Sequence, residues 1–580
     1  MNKILTIFLF CYTLSSFSQE KIIAEVVSLV TGDVISNCNV IDPISGQGTI
    51  TNKDGLFVMW INKTVDSLLI SHIQYESLMI SVNDIRNKQL VYLNPHINQL
   101  DEVVVGISDK EIYNTIKKIR KNIKSDNKDL ISKLYYLIES KSDGNPVEIL
   151  ECYYNAYING IQINELKFKN GRASLSSNEK DNYYLSLHSS RAFVYFPLVN
   201  KNNYIPYQPL QLKFKDNLKY FNFVQINIHE NLSKIIFTTR EKYSDIAFNG
   251  SIFYNPIDFK IRQIELVCNN LEKHPFLPIV YTDSISNVNI SYIANYYNDK
   301  LNFIEANYDF KYFSERDSSL FVVKEKKINH CIESNVFLYC YDYNNKFIEP
   351  YFEFDNNYWD YYKMSIIPYN SFFWNNCYYF PLSKDQESML DEIKNKGNLK
   401  DYYDWGNSKK TLASEIYSKN TEEKTIFSSY YIFWERGKAI KITNFENSQE
   451  VDKLTLAQSY KSDLFNLEVQ ILLDINDYNN KLNVKSYTIF DISKTYFNLP
   501  RDSITDDFAT CYFNICEIER RKMQREIDKN NYTIKQVDSL YNITNIKMND
   551  ITTRYLKEVD VGLNEKQMDK WKDYVKDYLD

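Results

Sequence analysis

The chain has 580 residues, 44% of them hydrophobic and 25% charged, which describes a globular protein long enough for two to four cores. Its 48 Tyr and 34 Phe, set against 13 Gly and 13 Pro, exclude a disordered chain and point to aromatic-faced β-strands with few flexible linkers. A formal net charge of −7, without any strongly basic block, excludes nucleic acid as a partner, because neutralising phosphates needs a concentrated basic face.

Residues 1–18 read as an export signal. Lys3 supplies the positive end, Ile4 to Tyr12 the apolar stretch, and Ser16-Phe17-Ser18 a small-x-small cleavage site. The apolar stretch is too short for a permanent membrane helix. Cys11 follows the bulky Phe10, where a lipoprotein signal requires a small residue, so lipidation is not expected. No later run of 18 apolar residues occurs, so no membrane-spanning segment is expected in the mature chain, and the helical charge patterns near the C-terminus argue against a transmembrane barrel. The eight cysteines beyond the signal are sparse and form no C-x-x-C pair. They are expected to be mostly buried free thiols.

From Ile22 to Leu93 short strands alternate with turns. Ile22–Val27, a strand beginning at Asn39, a hairpin over Gly48–Val58 turning on Asp54-Gly55, Asp66–Ser71 and Leu90–Leu93 are the clearest. About seven short strands in this space predict a β-sandwich. The T-G-D-V-I-S-N-C-N-V run, the G-T-I-T-N-K-D-G-L-F hairpin and the D-S-L-L-I-S-H-I-Q-Y-E-S stretch resemble the carboxypeptidase-like regulatory domain. Leu100-Asp101-Glu102-Val103-Val104-Val105 resembles the segment that trails this domain in outer-membrane proteins of the Bacteroidota. The resemblance implies a prealbumin-like sandwich, residence in the cell envelope and a role in interaction, and it implies no chemistry. Two departures stand out. A helix with Ile112, Ile116, Ile119 and Ile123 follows in place of a plug and barrel, and the zinc-peptidase pattern is incomplete. His330 and Glu333 form H-x-x-E, but no His follows to complete a ligand set, so the match is read as chance.

Residues 131–345 read as one antiparallel β domain. Leu232–Thr238 should pair with Asn249–Tyr254, which turns through Asn255–Asp258 into Lys260–Leu266, and Asn302–Phe310 alternates with period two. This order resembles the region behind the regulatory domain in other envelope proteins, which is similar to the half-barrel sheet of lipoprotein carriers. Residues 346–410 form an aromatic-rich connection. Its rings allow either a stacking platform for glycan or peptide, for which Tyr358, Trp359 and Trp374 are the candidates, or packing between domains. The sheer number of rings favours packing.

Residues 411–580 should carry strands at Thr425–Trp434, Lys438–Ile442, Phe465–Leu473 and Val484–Phe490, and then helices. The first helix spans Asp506 to Lys529, and its Glu517–Lys522 charge run is expected to be a solvated face with a Glu517–Arg521 pair. A second helix covers Thr533 to Val561, Gly562 is a candidate C-cap, and a last helix begins at Asn564 with Gln567 at the capping-box position. The fold class is therefore mainly β with C-terminal helices, in the order signal (1–18), sandwich (19–106), helical linker (107–130), β domain, aromatic connection and β-plus-helix domain.

No phosphate-binding, dinucleotide, nucleophile-elbow, zincin or EF-hand motif occurs, so no catalytic, cofactor or metal residue is assigned. His72 is read as structural and His229-Glu230 as exposed polar residues. Asp258, Glu305 and Asp309 are taken as strand carboxylates that nothing in the sequence brings into one cleft. The expected function is an exported, non-catalytic binding protein of the periplasm or outer membrane, whose partner could be an envelope protein, a glycan or a peptide. The alternatives are a lipid or lipoprotein carrier, which would show a large apolar concavity, and a glycan or peptide hydrolase, which would show paired carboxylates in a polar cleft.

Overall fold

The computed structural model describes residues 19–96, 108–126, 128–176, 192–202, 204–276, 283–315, 327–352, 368, 370–376, 380–395, 399–401, 431–442, 464–478, 481–492, 494–499 and 503–579. The export signal, Leu100–Val105, Tyr358, Trp359, Cys377 and most of Thr425–Trp434 lie outside these residues. The chain divides into two compact units, one of Met1–Phe347 with Cys377–Lys409 and one of Ile348–Asn376 with Lys410–Asp580. The aromatic-rich connection is shared between them. No helix among the described residues is long and apolar enough to cross a membrane.

The first unit opens with seven strands, β1 (Gln19–Ser28), β2 (Asn39–Ile41), β3 (Gly48–Ile50), β4 (Leu56–Asn62), β5 (Ser67–His72), β6 (Tyr75–Ser81) and β7 (Leu90–Leu93). They form two sheets, β4-β1-β7 and β3-β2-β5-β6, which enclose a core that includes Val26, Val40, Phe57, Leu68, Ile70 and Val91. This is the sandwich that the alternating pattern predicts. A short helix, α1 (Val82–Lys88), was not legible as such. The Ser81 side chain caps it by accepting from the Asp84 N–H, and Val82 and Ile85 complete the core beneath. The hairpin expected over Gly48–Val58 does not form, because β3 pairs with β2 and β4 with β1, in different sheets. Asp54-Gly55 instead turns the chain from one sheet to the other, with Gly55 at φ +72°, and a Cβ there would lie 2.7 Å from the Val26 carbonyl oxygen, so only glycine fits.

Helix α2 (Asp109–Ser125) follows, with Ile112, Ile116 and Ile119 buried on one face. Burying three isoleucines contributes on the order of 5 kcal/mol toward fixing it. The remaining strands of this unit are β8 (Asp129–Ser142), β9 (Asn145–Asn159), β10 (Gln162–Ser176), β11 (Phe221–His229), β12 (Leu232–Thr239), β13 (Asn249–Tyr254), β14 (Ile261–Leu271), β15 (Ser284–Tyr297), β16 (Lys300–Glu315), β17 (Lys327–Asp342) and β18 (Leu399–Asp401). They make one 11-stranded antiparallel sheet in the order β11-β12-β13-β14-β15-β16-β17-β8-β9-β10-β18. The two ends of that order do not pair, so the sheet is open and no closed barrel forms among the described residues. The predicted β12–β13–β14 pairings all occur. Asp258, grouped above with the strand carboxylates, lies in the expected Asn255–Asp258 turn between β13 and β14 and on neither strand, and its Oδ1 accepts from the Lys260 N–H.

The chain leaves β10 and re-enters at β11, the far edge of the sheet. The connection carries residues that fill the sheet's apolar face. Phe193 stacks on Tyr292 and Tyr308, and Phe196 stacks on Tyr292 at 4.6 Å between ring centroids. Helix α3 (Phe214–Tyr220) ends the connection, and Arg120 of α2 donates to the Leu212 carbonyl beside it.

The second unit contains β19 (Tyr431–Phe433), β20 (Phe465–Asn466), β21 (Val469–Tyr478), β22 (Lys481–Asp491), β23 (Tyr496–Phe497) and helices α4 (Ser371–Asn376), α6 (Ser503–Lys529), α7 (Ile534–Val559) and α8 (Glu565–Leu579). The sheet order is β19-β22-β21, with β20 and β23 as a separate pair. Lys438–Ile442 is not a strand. Ile440 and Ile442 point into the helix-packed core, and the Ile440 N–H donates to the Thr510 hydroxyl, so their alternation reflects burial without a ladder partner. The chain also breaks between β20 and β21 where one strand was expected.

The helices follow the predicted boundaries. Thr533 and Gln536 form the capping box of α7, and Asn564 accepts from the Gln567 N–H at the start of α8. Asp560 holds the C-cap position expected of Gly562, which follows at φ +93°. The charge run Glu517–Lys522 is not a solvated face, since Glu517 and Glu519 are only 2% and 6% exposed. Glu517 accepts from both Arg520 and Arg521 and from the Thr488 hydroxyl at 2.7 Å, and these partners allow a carboxylate to be buried. The Glu517–Arg521 pair itself is present.

Candidate functional site

Strand alternation gives the 11-stranded sheet two unlike faces. On β15, β16 and β17 the residues Tyr292, Tyr308 and Val336 belong to the filled apolar face. The opposite face carries two rows of directly opposed polar side chains. One row runs Ser291, Asn307, Asn335, Glu139 across β15, β16, β17 and β8. The next runs Asn289, Asp309, Glu333, Lys141 across the same strands. Opposed positions in an antiparallel pair place Cβ atoms about 5 Å apart, so each row is a continuous line of hydrogen-bonding groups. Within the rows, the Asn289 amide donates to Asp309 Oδ1 at 2.7 Å and the Asn335 amide donates to Asn307.

These rows form the floor of a cleft of about 970 Å³. One wall is helix α5 (Lys384–Asn395), which turns Asp385, Ser388, Met389 and Glu392 toward it at the i, i+3, i+4, i+7 spacing of a single helix face. The sandwich supplies the other wall through Lys53, which pairs with Glu139. The same turn, between β3 and β4, positions α5. Asp54 Oδ2 accepts from the Lys384 N–H at the helix N-terminus at 2.7 Å, and the Asn52 amide donates to the Pro381 and Leu382 carbonyls. Ser383 and Gln386 cap the helix reciprocally. Next to the rows the sandwich contacts β16, where the Asn37 amide donates to Glu305 and the Asn302 amide to Asn39 Oδ1.

Five carboxylates and two lysines line the cleft, so its field is negative. Cys331 beside it registers that field. Its thiol is pushed up, first by burial and then by Glu333, Asp309 and Asp143. Behind the floor, on the apolar face, Ser140 links Ser334 and Glu148, at 2.9 Å and 3.2 Å respectively. Glu148 is 1% exposed, and burial pushes its carboxyl up to about 8, only partly offset by the Ser140 hydroxyl.

Of the residues singled out in the sequence, Asp309 lies in the cleft floor, Glu305 lies under the sandwich and Asp258 lies in a turn elsewhere. Trp374 is 3% exposed on α4, edge-on to Phe373, so its ring packs inside the second unit and presents no open stacking face. His330 and Glu333 point to opposite faces of β17. His330 Nδ1 meets Asp143 at 2.7 Å while Glu333 lines the cleft, so the H-x-x-E spacing makes no shared site. His72 ends β5, and burial pushes its imidazole down to about 4. His229 and Glu230 are exposed. Among the described residues no three His, Cys, Asp or Glu side chains converge as metal ligands. Six of the seven described cysteines are buried, Cys331 being the exception.

The polar pairs Asn289/Ser291, Asn307/Asp309, Glu333/Asn335 and Glu139/Lys141 each show an i, i+2 signature in the sequence. What the sequence hid was that β17 lies beside β8, because Ser334 and Ser140 meet across 194 positions of chain. No protein-family model, curated protein or solved structure matches this chain.

Proposed function

We propose that this chain is an exported, non-catalytic protein of the cell envelope that binds a polar ligand in the cleft, with the N-terminal sandwich as an interaction module. The observation that carries the binding role is the two-row floor. Eight directly opposed polar or charged side chains on one sheet face, walled by α5 and Lys53, place a two-row array of hydrogen-bonding groups at the floor of a concave cleft. The envelope assignment rests on the Lys3–Ser18 signal pattern and on the resemblance of residues 22–105 to the carboxypeptidase-like regulatory domain. The carrier alternative loses support, because the sheet face apolar enough for an acyl chain is filled by Phe193, Phe196 and their neighbours.

Two experiments test this reading. Residues 1–30 fused to a reporter that works only after export should yield activity, and a silent fusion would remove the envelope assignment. Soluble glycan and peptide fractions from cell envelopes should raise the melting temperature of the full chain, and Asp309→Ala or Asn335→Ala should abolish the rise. No shift with any fraction would remove the binding role. A second reading, hydrolysis, is favoured by one observation: Asp309 and Glu333 are directly opposed carboxylates in this cleft. It requires that the wild-type chain release product from such fractions and that Asp309→Asn and Glu333→Gln each stop the release.

A further inference from the structure

We infer that the ligand of the cleft is an oligosaccharide, a chain of neutral or amino-bearing sugar rings lying across the strands; the inference rests on the cleft being a ligand site. Three features lead there. The first is spacing. Groups in each row recur at the inter-strand distance, about 4.8 Å, whereas an extended peptide advances about 3.3 Å per residue and falls out of phase within two or three units. A six-membered ring with its hydroxyl edges is of the same size as the strand interval, so successive rings can meet successive strands.

The second feature is chemistry. The mid-floor groups are planar carboxylates and amides, Asp309, Glu333, Asn307 and Asn335. A carboxylate accepts from two neighbouring hydroxyls, and an amide both accepts and donates, which suits vicinal hydroxyls that do the same. A peptide would instead look for pockets that receive alternate side chains, and the row positions on β15, β16, β17 and β8 are all polar or charged. The third feature is charge. Five carboxylates against two lysines repel an anionic chain and accept a neutral or amino-bearing one.

The test is calorimetric titration of the full chain with gluco-oligosaccharides of increasing length in α- and β-linked series, a glucosamine oligomer, an oligogalacturonate and a tetralysine peptide. Affinity should rise with ring number and level off at about three or four rings, the span of four strands. Oligogalacturonate should not bind. Asn335→Ala and the isosteric Asp309→Asn should each weaken binding at least tenfold while leaving the circular dichroism spectrum and melting temperature unchanged, which separates loss of contact from loss of fold. If tetralysine binds, no oligosaccharide does, and the same variants abolish that binding, the ligand class is wrong while the cleft remains a binding site. If none of the probes binds, the oligosaccharide inference falls, and envelope-fraction binding by the wild-type chain then decides the fate of the site itself.

Discussion

Replacing Glu148 by Gln should stabilise the first unit at neutral and alkaline pH and change little in acid. Glu148 sits on β9 with its carboxyl buried between β8 and the apolar face, one oxygen near Ser140 and the other without a hydrogen-bond partner. Burial pushes it up to about 8 from an ordinary value of 4.5, so the folded chain holds a proton that the unfolded chain releases. Stability is therefore undiminished by this group below about pH 4.5, falls as pH rises toward 8, and levels off above that. At about 1.4 kcal/mol per pH step, the cost reaches ~3 kcal/mol at neutral pH and ~5 kcal/mol above pH 8. Gln has the same shape and does not titrate. The assay is urea unfolding of wild-type and Glu148→Gln chains at several values from pH 5 to 9, read by hydrogen exchange in peptides covering β8 and β9. The difference in stability should grow steadily with pH and then flatten. A difference that stays constant within about 1 kcal/mol over that range would show that the carboxyl is not held neutral in the fold.

The other expectations are local. Gly55→Ala should destabilise the sandwich by about 1–3 kcal/mol, because the backbone is left-handed and the new Cβ meets the Val26 carbonyl; an unchanged denaturation midpoint would contradict this. Glu517→Ala should cost about 2–3 kcal/mol in the second unit, since it strips two partly buried guanidiniums and the Thr488 hydroxyl of their acceptor; an unchanged midpoint in differential scanning calorimetry would contradict this. Asp54→Ala should loosen α5 by removing the acceptor at its N-terminus, by about 1 kcal/mol, visible as faster exchange of the amides of residues 384–390. Native-state labelling with a thiol reagent, read by mass spectrometry, should modify Cys331 before Cys38, Cys152, Cys268, Cys340, Cys511 or Cys516, and prior labelling of any of those six would contradict their burial.

The sandwich, the helix after it, the β12–β14 meander and the three long C-terminal helices were legible because each rests on local periodicity and turn chemistry. Ile112, Ile116 and Ile119 mark a helix face whatever packs against it, and Asp54-Gly55 marks a turn by its φ preference, although the strands it joins belong to different sheets and form no hairpin. The failures have a common physical cause. Ile440 and Ile442 alternate like a strand because both are buried, and periodicity reports burial rather than ladder partners. Glu517 looks solvent-facing because its sequence neighbours are charged, yet Thr488 of another element, together with two arginines of its own helix, satisfies it in the core. The cleft was half visible. Asp309 could be named, but its partnership with Glu333, and theirs with Lys141, depends on which strands lie side by side, and no local pattern encodes that.

The junction of β17 with β8 has a consequence for how this unit assembles. Strands β8 to β10 are made early and can zip into hairpins by themselves, but β8 must wait for nearly two hundred further residues before its other edge is covered. The floor of the cleft straddles this late joint, with Asp309, Glu333 and Asn335 on one side and Glu139 and Lys141 on the other. A molecule gripping both sides acts as a rivet across the last gap to close, so occupancy should slow local opening of the β8–β17 edge before it affects any other part of the sheet.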